Sequence, residues 1–326
     1  MPASVLRTVV RDTGYLVKGF AKTLLLLYLP AMAVLTLAHF PYDTDPPLRH
    51  GTPSTTAEGA LARRRTASFY EAAYGANQNQ KRGLDYESVA RAAAEHTGME
   101  DQVRQFVKDY RLEDKKVLEV GSGRGYLQDL VLDYTGLDLS AAVAPHYHKP
   151  FVAGSATDMP FADSSYDAIW TVWVLEHIPE PERALREMRR VLKPGGVLFL
   201  YVAWHCPPWA ADGFEVRPYG QFNWRGKLMK ASVPARRWLR VLALVPTRAI
   251  RWVQYAMAGA TEPLRFRALE PNYETYWRPD SDAAISLDSF ETYLWFGARG
   301  DERLNSAEPL DEWLDLRNPL IVRIRK

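Results

Sequence analysis

The sequence predicts a fold of the α/β class, an open, doubly wound sheet of mostly parallel strands, and three observations carry that prediction. Val117-Leu118-Glu119-Val120 reads as a buried strand running into Gly121-Ser122-Gly123-Arg124-Gly125, a glycine turn that opens a helix. Tyr134-Thr135-Gly136-Leu137-Asp138-Leu139-Ser140 reads as a second strand ending in an acid, 17 residues beyond Gly121. Further on, apolar strands at residues 166–171 and 197–202 flank a helically spaced run at 184–192, with Lys193-Pro194-Gly195-Gly196 as the turn. Strands alternating with helices in this way build parallel sheets.

In chain order, residues 1–60 divide into a basic lead, an apolar segment and a linker. Arg7, Arg11, Lys18 and Lys22 precede residues 23–42, a run of 20 without Asp, Glu, Lys or Arg that includes Leu24-Leu25-Leu26-Leu27. As a helix this run would be ~30 Å long, about one bilayer core, and Pro30 would kink it. It could span a membrane, serve as a cleaved leader, lie in the interface as an anchor, or pack on the next domain. Residues 43–60, rich in Pro, Thr and Gly, read as the linker. Residues 61–102 read as a helical lid or cap, with Tyr70 and Tyr74 available to cover a ligand or to pack in a core.

Residues 103–203 form the predicted core, and the glycine spacing decides its ligand. A dinucleotide fingerprint needs GxGxxG, but the glycines fall at 121, 123 and 125, and Tyr126 stands at the third fingerprint position. No GK[ST] follows, which excludes a Walker loop. Asp138 at a strand end can accept both hydroxyls of a ribose; a cap or turn role is its alternative.

The pattern ExGxGxG, then Asp138, then Gly154-Ser155-Ala156-Thr157-Asp158-Met159-Pro160-Phe161, then Val174-Leu175-Glu176-His177-Ile178-Pro179, and finally the turn at 193–196, resembles the type 11 family of class I S-adenosylmethionine-dependent methyltransferases. The ubiquinone-pathway methyltransferases are similar, and the resemblance covers roughly residues 106–203. It implies a Rossmann-like, doubly wound, seven-stranded sheet, mostly parallel with the last strand antiparallel, and S-adenosyl-L-methionine as cofactor. It further implies that Glu119 lies near the methionine amino group and that Gly121, Ser122, Gly123 and Gly125 line the methionine and ribose. Asp138, with Leu139 beside it, would bind the ribose, and Ala156, Thr157 and Asp158 would cover the adenine. Many relatives carry an acid where this chain has Ser155, so either Asp158 or Ser155 with backbone groups takes the adenine amino group.

The cofactor brings an activated methyl on a sulfonium, so the protein must align a nucleophile and, for a hydroxyl, remove a proton. His177, with an ordinary pKa of ~6.5, is the candidate base, the alternative being a structural pair with Glu176. The ubiquinone-pathway O-methyltransferases carry ExxEH here for a divalent cation. Trp173 replaces the first carboxylate in this chain, so no metal is expected.

The remaining segments surround that core. Residues 204–285 read as a substrate-binding or lid insertion holding Trp204, Trp209, Trp224, Trp238, Trp252 and Trp277, which would cover an apolar acceptor or form the insertion's own core. Within it, Arg236, Arg237, Arg240, Arg248 and Arg251 interleave with Trp238, Leu239, Val241, Leu242, Leu244, Trp252 and Val253. Such a basic, tryptophan-bearing helix suits a membrane surface, with an ordinary lid helix as the alternative. Residues 286–326 supply a C-terminal helix at 287–296, ended by Gly297 and Gly300, and closing strands at 319–324 and near 301–304.

Composition narrows the class. The chain has 326 residues, is 47% hydrophobic and 25% charged, and its net charge of +2 points to no nucleic acid. The single cysteine, Cys206, excludes an internal disulfide framework and reads as a packed thiol. The expected function is transfer of a methyl group to an oxygen, in preference to a carbon or nitrogen, of a hydrophobic small molecule in or near a membrane. The expected partners are a small-molecule or lipid-like acceptor and a membrane surface, with no specific protein partner. The expected location is cytoplasmic, membrane-associated through residues 23–42, because the cofactor is made in the cytosol. Two alternatives stand beside it: a soluble methyltransferase of a polar metabolite, and a catalytically inactive cofactor-binding subunit.

Overall fold

The computed structural model describes residues 22–23, 25–31, 57–75, 86–207, 209–258, 263–275, 277–305 and 319–326. Most of the apolar segment 23–42 and of the linker 43–60 lies outside the described residues; residues 25–31 are helical through Pro30. The chain divides into two compact units, Met1–Phe40 with Pro218–Thr247, and Pro41–Arg217 with Arg248–Lys326. The first contains most of a long helix, α5 (Trp224–Ala258), which has Pro234 and Pro246 inside it.

The second unit holds the sheet. Three helices, α1 (Ala57–Tyr74), α2 (Tyr86–Thr97) and α3 (Met99–Asp109), lead into β1 (Lys116–Val120). On α3 the buried residues are Val103, Phe106 and Val107, the i, i+3, i+4 pattern of an amphipathic helix laid on a sheet. The strands β2 (Asp133–Asp138), β3 (Phe151–Ala153) and β4 (Tyr166–Val172) follow, then α4 (Pro181–Val191) and β5 (Leu192–Tyr201). After α5 come β6 (Arg267–Ala268), β7 (Ile285–Ser286), α6 (Ser289–Gly297), β8 (Glu302–Arg303) and β9 (Leu320–Arg323).

Seven strands form one sheet in the order β3-β2-β1-β4-β5-β9-β8. Strands β1 to β5 pair in parallel, and β9 runs antiparallel to both β5 and β8. The expected mostly parallel sheet with an antiparallel last strand is therefore present, and β8 falls in the predicted 301–304 window. The two-residue alternation of each strand divides the core. Leu118, Val120, Ile169 and Leu198 pack with Leu185 and Met188 of α4 and Trp295 of α6. Val117, Tyr134, Trp170 and Phe199 pack with Val103 and Phe106 of α3.

Three features depart from the sequence reading. The helix expected after the glycine turn is absent: Gln128–Leu130 forms one short 3-10 turn before β2 begins at Asp133. Residues 126–132 amount to about two helical turns at most, too few to make a crossover helix and still return to a parallel strand. The turn at 193–196 is a loop within β5, because Tyr166 pairs with Leu192 and Ala168 with Val197, and Gly195 takes φ +81° to allow it.

The third departure concerns the arginines read as lipid-facing. Arg248 and Arg251 are buried, paired with Asp288 and Glu291 of the α6 start. Partners three residues apart on α5 thus meet acids three residues apart across the contact, which holds the two helices in register. Burial alone would raise the Asp288 carboxyl, but Arg248 and His205 overcome it and hold it far below the ordinary range. Asp288 also caps α6 by accepting from the Phe290 amide at 3.1 Å. Cys206 is a packed thiol, donating to the Ala203 carbonyl at 3.1 Å.

Candidate active site

At the C-terminal ends of β1, β2 and β4, where open α/β sheets bind their ligands, lies a cavity of about 580 Å3. Gly121 enters it from the end of β1, Asp138 and Leu139 from β2, and Ser155, Ala156 and Thr157 from the loop after β3. His177 enters from the 3-10 turn Leu175–His177 that follows β4. Six of the residues expected at the site, Gly121, Asp138, Leu139, Ala156, Thr157 and His177, thus share one cavity wall. Asp158 is exposed and not among the lining residues, whereas Ser155 lines the cavity with its hydroxyl 2.9 Å from that of Thr157.

Glu119, Ser122, Gly123 and Gly125 stand behind that wall. The amides of Gly121 and Ser122 both donate to the Leu137 carbonyl, at 2.7 and 3.1 Å, tying the turn to β2. The Gly123 amide donates to Asp138 Oδ2 at 2.8 Å, and the Gly125 amide to the Ser122 carbonyl at 2.9 Å. Gly121 holds φ +70°, and a Cβ there would lie 2.1 Å from Cγ2 of Val174. Gly125 and Gly136 leave room for the Tyr147 ring, which a Cβ at either position would meet within 2.7 Å. The Tyr147 hydroxyl then donates to Ser122 Oγ at 2.6 Å, so this tyrosine supports the turn from below. Below it again, Tyr134 donates to buried Glu119, and burial pushes the Glu119 carboxyl up to about 8 against that bond.

The opposite side of the cavity is α1, which contributes Thr66, Tyr70 and Tyr74. The expected lid is held at several points: Arg63 pairs with Glu180 at 2.7 Å, Tyr70 donates to Asp282 at 2.8 Å, and Glu71 accepts from Ser140 Oγ at 2.7 Å. Tyr70 and Phe69 also form a small cluster with Tyr74, Val89 and Tyr273. Trp173, in the place of the metal-binding carboxylate, lines the cavity with φ +52°. Among the described residues no group of three or more His, Cys, Asp and Glu is disposed to hold a metal ion.

His177 is the titratable centre of the deep end. Its Nδ1 lies 3.5 Å from Asp282 Oδ2, and its Nε2 lies 3.9 Å from Glu176 Oε1. Burial depresses the imidazole, but Asp282, Glu176 and Asp280 together outweigh it and hold it above its ordinary value. Burial in turn lifts Glu176 to about 7, opposed by His177.

Sequence reasoning missed Asp282, Glu71 and Tyr147. For Tyr147 a signal existed: Gly136 in a strand interior marks a close approach by another group. Asp282 and Glu71 reach the site only through tertiary packing.

The donor set suits an adenosine carrying a methionine chain. Asp138 gives one oxygen to the Gly123 amide and the other to the Ser140 amide, and each retains lone pairs for a ribose hydroxyl.

Comparison with known proteins leads to the same chemistry. Residues 118–200 match the type 11 family model described as a methyltransferase domain. The demethylmenaquinone methyltransferase of Renibacterium salmoninarum is 41% identical over 93 residues, 26% of this chain and 39% of that protein. An uncharacterized methyltransferase of Mycolicibacterium gilvum is 40% identical over 103 residues, 28% of this chain and 40% of its own. The sterol 24-C-methyltransferase of Gibberella zeae is 32% identical over 102 residues, 26% and 27% of the two chains. The chain thus spans about two fifths of the length of the first two relatives. A solved SAM dependent methyltransferase from Aquifex aeolicus aligns over 31% of this chain and 63% of its own at 21% identity, with a TM-score of 0.28 that bears no weight. Over residues 118–200 the chain therefore matches the type 11 methyltransferase domain, the stretch it shares with these methyltransferases.

Proposed function

We propose that the protein transfers the methyl group of S-adenosylmethionine to an oxygen of a hydrophobic small molecule held in or near a membrane, with His177 accepting the proton. The observation that carries this reading is the convergence of Gly121, Asp138, Ala156 and Thr157 with His177 in one cavity. When bound, the cofactor supplies a methyl group already activated on a sulfonium. Asp138, beside Leu139, orients the ribose. Ala156, Thr157 and Ser155 cover the adenine, with Asp158 taking part only through its backbone. Gly121, Ser122, Gly123 and Gly125 shape the methionine side, and Glu119 beneath them lies near the amino group. Tyr70, Tyr74 and Trp173 keep water from the reacting atoms, and His177 removes the proton of the acceptor hydroxyl.

Two observations support a hydrophobic acceptor at a membrane. The relatives above are named for acting on demethylmenaquinone and on a sterol, and the second name specifies a carbon, which makes carbon the next acceptor atom. On α5, Ile250, Trp252, Val253 and Met257 are exposed. No helix among the described residues is long and apolar enough to cross a membrane. The attachment in this reading is interfacial, shared with residues 23–42 on the cytoplasmic face.

A labelled-methyl transfer assay on separated lipid and polar-metabolite extracts tests the reading. Label in the lipid fraction is the expected result. Label confined to the polar fraction would overturn the hydrophobic acceptor, and failure of S-adenosylmethionine to bind in calorimetry would overturn the whole reading. Flotation with liposomes should weaken on deleting residues 1–42 and on replacing Trp252 and Val253 by Ser; unchanged flotation in both refutes the attachment.

A further inference from the structure

We infer that Asp282 is the positioning residue of His177, fixing the imidazole so that Nε2 is the nitrogen that takes the acceptor's proton. The inference rests on the reading of His177 as the base.

The geometry specifies the tautomer. Nδ1 faces two acceptors, the Asp282 carboxylate at 3.5 Å and the Asp282 carbonyl, also at 3.5 Å, so in the neutral ring Nδ1 carries the hydrogen. Nε2 has Glu176 Oε1 at 3.9 Å, beyond hydrogen-bond reach, which leaves its lone pair for a proton. Asp282 is fully buried; Oδ2 receives the Tyr70 hydroxyl from α1, and Oδ1 has no hydrogen-bond partner among the described residues. A buried carboxyl oxygen without a donor is costly, and the adjacent imidazole is the group placed to offset it. The segment is itself pinned to the His177 turn, because the Ala284 amide donates to the Glu176 carbonyl at 2.9 Å.

The proton balance is simple. As the oxygen of the acceptor bonds the methyl carbon and the sulfur–methyl bond breaks, the electron pair of that bond goes to sulfur, and the hydroxyl proton goes to Nε2. The charges that act on the ring are Glu176 on its own turn and Asp280 and Asp282 on the segment before β7. The Tyr70 ring meets it edge-on at 5.8 Å. Tyr70 also makes the arrangement depend on the lid, since α1 must be closed for its hydroxyl to reach Asp282.

Nitrogen-15 NMR of the histidine rings in the full-length chain reads this out without any acceptor, using His177→Gln to assign the signal. In the wild type His177 should titrate above ~6.5 with its neutral form protonated on Nδ1. In Asp282→Asn the titration should fall by about one pH unit or more, and the Nδ1–H preference should be lost. Asp282→Glu should restore part of both, and S-adenosylmethionine affinity should stay unchanged. In methyl transfer to the lipid fraction, Asp282→Asn should lower the limiting rate by about tenfold or more and move the acid limb of the pH profile downward. A structural role would lower the rate equally at all pH. His177 titrating alike in wild type and Asp282→Asn overturns the inference, as does loss of cofactor binding by the folded variant. If Asp282→Asn does not fold, Asp282→Ala and Asp282→Ser carry the same comparison, and an unmoved titration in a folded one of them overturns it. Full transfer by His177→Gln overturns the base assignment itself, whereas an inactive His177→Gln beside an unshifted Asp282→Asn profile refutes only the role of Asp282.

Discussion

Replacing Gly121 with alanine tests how the backbone turn and the donor cavity depend on each other. Two separate penalties arise. At φ +70° an L-residue costs about 1–2 kcal/mol relative to its right-handed conformation. The new methyl would lie 2.1, 2.6 and 2.9 Å from Cγ2, Cγ1 and Cβ of Val174, so it meets the branched body of a short side chain that has no flexible end to swing away. Overpacking of that kind costs about 1–3 kcal/mol, for a total of about 2–5 kcal/mol, a large part of the stability of an ordinary domain. Because Gly121 and Val174 both line the cavity, displacement of the valine also deforms the donor site; if about 1.4 kcal/mol of the clash is expressed there, cofactor affinity falls about tenfold. Urea unfolding and calorimetry with S-adenosylmethionine measure the two effects. The double variant Gly121→Ala with Val174→Ala relieves most of the overpacking, because it removes the contacts at 2.1 and 2.6 Å and keeps the strained φ together with the Cβ contact at 2.9 Å. It should recover the larger part of the affinity and leave at least about 1–2 kcal/mol of destabilisation. Wild-type stability and affinity in Gly121→Ala alone, or no recovery in the double variant, would refute the reasoning.

Three further outcomes are expected. With burial lifting Glu119 to about 8, the native protein keeps a proton that the unfolded chain loses near the ordinary value of 4.5, so stability is full below that value and declines as pH rises toward 8. Glu119→Gln should flatten that decline in urea midpoints, and an unchanged slope would show that Glu119 does not titrate there. Asp138→Ala leaves the Gly123 and Ser140 amides without their acceptor and should cost about 1–3 kcal/mol while weakening cofactor binding about tenfold or more in calorimetry; full affinity would remove Asp138 from the ribose. Arg251→Met strands Glu291 in the core and should destabilise by about 3–5 kcal/mol, whereas adding Glu291→Leu should restore most of it; equal losses in single and double variants would argue against a buried pair.

What could be read before folding was local. The apolar run at 117–120, the acid closing β2 at Asp138 and the helical spacing at 184–192 each express a rule that operates within a few turns or one strand, and each lies in or beside the element it foretold. Interactions over long separations were illegible for the same reason. Nothing near Asp282 in sequence points to His177, which is 105 residues away, and nothing near Arg248 announces that Asp288 waits 40 residues later to bury it. The helix after Gly125 was misread because the glycine turn is ordinarily followed by one, while the distance to Asp133 forbids it. Asp158 has the right chemistry but is exposed and not among the cavity-lining residues, whereas Ser155, three residues earlier on the same loop, lines the cavity.

The short turn behind the glycine loop bears on which ligands the site refuses. A full helix there would aim about half a positive charge and several unpaired N–H groups at whatever occupied the cavity, the device by which proteins hold pyrophosphate. In this chain the amides of Gly121, Ser122, Gly123 and Gly125 all donate to acceptors within the protein. What the loop turns outward is therefore acceptor-rich, offering carboxylate lone pairs in place of amide hydrogens. A nucleotide phosphate would find these four amides already engaged, while hydroxyls and an ammonium would find an acceptor in Asp138, so the same fold that elsewhere cradles anions is here biased toward a cationic, hydroxyl-bearing adenosine derivative.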